Sequence, residues 1–122
     1  MITNPRYRVL AKWNECLHNG KLLKPATYKM MTSYSITNTH TLFSYNPIGY
    51  GYGLRINDKD SIMEIGHTGF HPSEGFTAVN LYYPKTKISV IVMENQANEN
   101  FDIAYYFEQE IRKIIKESNL LK

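Results

Sequence analysis

The stretch IGHTGFHPSEGF, residues 65–76, holds the side chains best suited to chemistry in this 122-residue chain. It carries His67 and His71, two of the four histidines, set among Gly66, Gly69, Pro72 and Gly75. A histidine titrates near neutrality, so it can take or give a proton under ordinary conditions. The same residues also have plainer uses. Gly-x-x-Gly at a strand end often forms only a bulge or turn, and a lone histidine is commonly part of satisfied structure. A metal site would draw on Glu64, His67, His71 and Glu74. However, His-x-x-x-His gathers zinc on a helix, which Gly69 and Pro72 oppose. On an extended strand the two histidines stand about 13 Å apart, too far for one ion. No metal and no cofactor is expected.

The flanking elements follow from periodicity. Residues 7 to about 18 place Val9, Leu10, Trp13, Cys16 and Leu17 at helical spacing, and Gly20 suits the stop. Pro25 opens a short helix through about Met31, a position where its missing N–H costs nothing. Residues 32–48, rich in Thr, Ser and Asn and ending in Asn-Pro, read as an irregular loop. The period then shortens. Residues 51–56, a turn at 57–60 and residues 61–66 read as strand, turn, strand. Residues 76–83, Pro84–Lys87 and residues 88–95 read as a second hairpin, and His71 falls in the loop between the two hairpins. ISVIVM, nearly continuous and β-branched, has the pattern of an inner strand covered on both faces.

From Asn98 the helical period returns. Asn98 or Asn100 can cap, Glu99 and Asp102 complement the first turn, and Arg112, Lys113 and Lys116 favour the last. Ala104, Phe107, Ile111, Ile114 and Ile115 form an apolar stripe that should lie on the sheet. The order predicts one α+β domain over residues 1–122. Its antiparallel sheet would have three to four strands, with N-terminal helices and a C-terminal helix packed on one face.

Composition narrows the function classes. The formal charge of +3 arises from 14 basic and 11 acidic residues without a basic run, which argues against nucleic acid as a partner. The ten tyrosines suit half-buried sheet faces better than base stacking. Cys16 is the only cysteine, so no intrachain disulfide can form and a buried, inert thiol is expected. No stretch approaches the ~20 apolar residues of a membrane span, and the first residues lack a signal-peptide core. A soluble chain is expected, with its compartment unspecified.

In order, YGYGLRI, IGHTGFHP, GFTAVNLYYPKTKISVIVMEN and a terminal amphipathic helix resemble the C-terminal third of serine β-lactamase-like hydrolases. That superfamily includes class C β-lactamases, penicillin-binding DD-peptidases and related esterases. LAKWNECLHNGKLLKPATYKMMT resembles the segment that precedes those strands, so the similarity covers roughly residues 10–117. The resemblance implies that His67-Thr68-Gly69 stands where the family carries Lys-Thr-Gly or His-x-Gly, on the strand walling the active site. By position, His67 would supply a donor, or a charge when protonated, to the catalytic hydrogen-bond network. Thr68 would offer its hydroxyl to a substrate carboxylate or carbonyl, and Gly69 would admit the substrate. The Phe70 N–H would be one oxyanion-hole donor. The span from Gly69 to Gly75 is about two residues longer than the family turn, implying a reshaped rim.

The family's nucleophile is the serine of Ser-x-x-Lys, and no serine here has lysine three residues later. Ser44-Tyr45-Asn46 spells the family's Ser-x-Asn but lies after the helix that the motif should precede. A wall without nucleophile or base should be inactive alone, because such residues act as a unit. The expected function is therefore the C-terminal portion of a hydrolase for β-lactams, D-amino-acid peptides or esters. In the resembling fold, N-terminal strands would pair with the strand at 88–95. Without them that edge should be covered by a homodimer, a swapped element or a separate N-terminal hydrolase segment. The alternative is a non-catalytic module that binds a peptidoglycan-like ligand or a protein through Tyr45–Tyr52 and the histidine loop. Family members are usually exported, bacterial proteins.

Overall fold

The structure, a computed structural model, describes residues 5–39, 47–59, 61–71, 73–96 and 99–122, the side chains of residues 5, 6, 101, 102 and 104 excepted. Among these, helices α1 (Pro5–His18) and α2 (Pro25–Met31) precede six strands, and helix α3 (Phe101–Glu117) follows them. The strands are β1 (Ile36–Thr39), β2 (Pro47–Tyr50), β3 (Arg55–Asn57), β4 (Glu64–His71), β5 (Phe76–Tyr83) and β6 (Ile88–Glu94). They form one antiparallel sheet in chain order. The expected Asn98 cap and Ser44-Tyr45-Asn46 fall outside the described residues.

The α+β class is as expected, but the strand count is not. β1 and β2 arise from the stretch read as loop, paired from Ile36↔Tyr50 to Thr39↔Pro47. Every residue of β1 is exposed, so it has no buried face and leaves no apolar alternation to read. β3 is shorter than its apolar pattern suggested. Gly51 N–H donates to the Leu54 carbonyl at 2.9 Å, and Gly53 takes φ +74°, turning the chain before Arg55. β4 runs on to His71, which places His-Thr-Gly within a strand rather than at its end.

The two faces of the sheet carry different helices. Val79, Leu81 and Tyr83 of β5 bury against Ile115 of α3 and against Leu121, with Val90 and Val92 of β6 alongside. On the other face Asn14 of α1 joins Asn80 in a reciprocal amide pair, 2.6 and 3.1 Å, and His18 stacks on Tyr82 at 3.9 Å. The expectation of all helices on one face is therefore corrected, since alternate residues of β5 face opposite ways. The stripe on α1 is also corrected. Val9 and Trp13 are exposed, while the buried residues are Asn14 and Leu17. Asn14 reaches the sheet because its amide is satisfied there. On α3, Ile115 is buried and Ile114 is 64% exposed, so the seam runs Phe107–Ile111–Ile115. β6 is the outer strand, pairing with β5 alone among the described residues, with Ser89 and Met93 exposed. Its apolar run therefore does not mark an inner strand.

His18 joins three elements. Its Nδ1 lies 2.8 Å from the Tyr28 hydroxyl of α2, and its ring lies flat on Tyr82 of β5. Burial pushes this imidazole down to about 4 from its ordinary 6.5. The folded state prefers the neutral ring, so its contribution is complete above about pH 6.5 and is lost as pH falls toward 4. With the ring partly exposed, about 1–2 kcal/mol is at stake. Urea unfolding at pH 7 and pH 4.5 is expected to show this loss. His18→Phe, which keeps the stack, should reduce the pH dependence; an unchanged dependence would contradict the assignment.

Candidate active-site wall

β4 is paired along most of its length with β5, from Ile65↔Tyr82 to His71↔Phe76. On its other side β3 pairs only with Glu64, Ile65 and Gly66. The segment from His67 onward therefore runs past the end of β3, and a cleft of about 220 Å³ opens beside it. His67, Thr68 and Phe70 line this cleft together with Tyr50, Arg55, Asn38, Ile48 and Tyr105. Three of the four residues singled out from the sequence thus meet in one place. Gly69 lies instead in a second, open hollow of about 730 Å³, floored by Ala78 and flanked by Phe70, His71, Phe76 and Met93. This follows from strand alternation: His67, Gly69 and His71 share one face, and Thr68 faces the other with Val79.

His67 is exposed and makes two polar contacts. Nδ1 lies 2.8 Å from the Thr68 carbonyl oxygen, and Nε2 lies 3.0 Å from the Tyr50 hydroxyl. The Tyr50 ring meets the imidazole edge to face. His71, expected in a loop, ends β4 and touches the Ser73 hydroxyl at 3.2 Å.

Thr68 points into a buried charged network. Its hydroxyl accepts a hydrogen bond from Arg55 Nη2 and donates one to Glu108 Oε2 on α3. A hydroxyl has one hydrogen and two lone pairs, so in this arrangement Thr68 can offer a ligand only an acceptor. Glu108 also pairs with Arg112 Nη1 at 2.5 Å and with Arg55 Nη2 at 3.3 Å. Arg112 holds Glu64 through Nε at 2.8 Å and Nη2 at 2.7 Å, and the Tyr83 hydroxyl donates to Glu64 at 2.8 Å. Burial, followed by the adjacent Glu64 carboxylate, pushes the Tyr83 phenol up, so it stays a donor. Burial pulls the Arg55 guanidinium down, and Glu108 opposes that shift.

Two carboxylates and two guanidiniums balance in charge and bolt β3, β4 and β5 to α3. The sequence reading missed this network. Glu64 was weighed as a metal ligand, yet its side chain is held by Arg112 and Tyr83 and lies on the opposite face of β4 from His67. Arg112, read as a complement to the helix end, is turned onto the sheet. The available signal was Glu108 and Arg112, four residues apart, embedded between Phe107, Ile111 and Ile115 of the apolar seam. Charged residues there are buried and paired, not solvated.

The Gly69 backbone is outside the left-handed region. A Cβ there would meet only the Ala78 Cβ, at 3.8 Å. Internal packing therefore does not demand a glycine at this position.

An antiparallel sheet with a helix on each face and a cleft beside one strand defines an α+β protein with a groove-type site. Residues 8–112 match the family model described as Beta-lactamase. The chain belongs to that family, within the serine β-lactamase and penicillin-binding-protein superfamily, and has its hydrolase-like scaffold. A search of curated proteins finds no match. No helix among the described residues is long and apolar enough to cross a membrane.

Proposed function

We propose that these residues form the C-terminal part of a serine hydrolase acting by acyl transfer on a β-lactam, a D-amino-acid peptide or an ester. The observation that carries this reading is the family match combined with a cleft lined by His67, Thr68 and Phe70. In this reading the His67 imidazole would join the catalytic hydrogen-bond network, and the Phe70 N–H would serve the oxyanion. Gly69 keeps the strand's other face low. The nucleophile and its lysine come from a segment outside the 122 residues, since no Ser-x-x-Lys occurs within them.

Supply of that segment gives the outer strand β6 an occupant for the edge that no other strand pairs among the described residues. A second copy of this chain, or a swapped element, would cover the same edge without completing the site. The chain alone is expected to take no covalent label from a fluorescent penicillin or a fluorophosphonate. Stoichiometric labelling of the isolated chain would overturn the reading.

The engagement of the Thr68 hydroxyl by Arg55 and Glu108 favours a second reading, a non-catalytic module that binds a peptidoglycan-like peptide. Saturable binding by the isolated chain, weakened by His67→Ala, would support it.

A further inference from the structure

The contacts of His67 determine which of its nitrogens carries the hydrogen. A carbonyl oxygen only accepts, so Nδ1, 2.8 Å from the Thr68 oxygen, must be the N–H. In the neutral ring Nε2 is then a bare lone pair, and the Tyr50 hydroxyl 3.0 Å away must be the donor. The ring centroids stand 5.8 Å apart at 85°, and both residues line the same cleft. Tyr50 belongs to β2 and His67 to β4, so the contact spans the width of β3. A free imidazole in water prefers its hydrogen on Nε2, the reverse of this arrangement.

We propose that Tyr50 is a positioning residue of this site: its hydroxyl selects the Nδ1–H tautomer of His67 and holds Nε2 as a proton acceptor on the cleft side. The catalytic meaning of this pair depends on the hydrolase reading above, but the tautomer itself does not. In that neutral form the Nε2 lone pair is taken up by the Tyr50 hydroxyl. Having given its hydrogen to Nε2, the Tyr50 oxygen keeps its lone pairs for an O–H or N–H entering the cleft. An attacking hydroxyl would pass its proton to the Tyr50 oxygen as the Tyr50 hydrogen moves to Nε2, leaving a neutral phenol and an imidazolium, so the pair is less suited to hold a carboxylate. The family resemblance implied a donor at His67, or a charge when protonated; residue type alone does not reveal the second ring contact.

Long-range ¹H–¹⁵N correlation spectra of the ¹⁵N-labelled chain at about pH 8, where imidazoles are neutral, test this directly. The expected pattern for His67 is a protonated-type Nδ1 and an unprotonated-type Nε2. Tyr50→Phe keeps the ring and removes the donor. It should lower the ratio of Nδ1–H to Nε2–H by roughly 2- to 12-fold, the worth of one neutral hydrogen bond, with His71 unchanged. An Nε2–H pattern in the unaltered chain overturns the proposal, and so does an unchanged ratio in a folded Tyr50→Phe variant. Failure of acyl transfer in a reconstituted enzyme would overturn the hydrolase reading and leave this tautomer standing.

Discussion

Arg112→Ala is expected to cost about 3–5 kcal/mol of folding stability, read as a large fall in the urea midpoint at neutral pH. Arg112 is 7% exposed, and its guanidinium lies between Glu64 and Glu108, which are 5% and 1% exposed. Removing it leaves two buried carboxylates with Arg55 as the only neighbouring cation among the groups of this network. Buried ion pairs add little over a well-packed apolar alternative, but removing one partner strands the other in a medium that solvates charge poorly. Against a typical stability of about 5–15 kcal/mol, this loss is a large fraction of the total and leaves the chain measurably unfolded in water only at the low end of that range. Lys12→Ala, which breaks the exposed Lys12–Glu15 pair, serves as the control and should leave the midpoint unchanged. Equal effects of the two substitutions would contradict the network.

Two glycines of β4 should respond in opposite ways to the same added methyl group. At Gly66 a Cβ would lie 2.2 Å from the Asn80 carbonyl oxygen and 3.1 Å from the Leu81 Cα. Both obstacles are backbone of the neighbouring strand, so relief requires moving β5 rather than turning a side chain. Gly66→Ala should cost about 3 kcal/mol, the upper end of ordinary overpacking. At Gly69 the only neighbour is an ordinary contact at 3.8 Å. Gly69→Ala should leave stability unchanged or raise it by up to about 1 kcal/mol, because alanine has less freedom to lose. Thermal unfolding of the two variants reads the contrast directly. A Gly69→Ala variant as damaged as Gly66→Ala would show that the glycine serves the fold.

Elements with strong periodicity were legible in the sequence. α1, α2 and the β5–β6 hairpin fall within a residue or two of their expected bounds, because their spacing or turn residues announce them. What periodicity cannot show is which face of the sheet a helix covers. Asn14 and Asn80, polar residues at core positions, decided that for α1. β1 was invisible because its side chains are all exposed and only backbone pairing with β2 defines it. At the site, His67, Thr68 and Phe70, singled out by residue type and family resemblance, line one cleft. Arg55 and Glu108, 13 and 40 residues from Thr68, were beyond reach because register and helix packing create those contacts, and Tyr45–Tyr52 was read as a binding surface without the Tyr50–His67 contact.

The most direct measurement is complementation with a polypeptide from a relative that carries the Ser-x-x-Lys helix and the N-terminal strands, probed with a fluorophosphonate. Covalent label is expected on the added serine, only in the co-eluting complex, and at a lower rate with His67→Ala. Label on the 122-residue chain by itself, or a co-eluting complex that stays unlabelled, would contradict a hydrolase wall lacking its nucleophile.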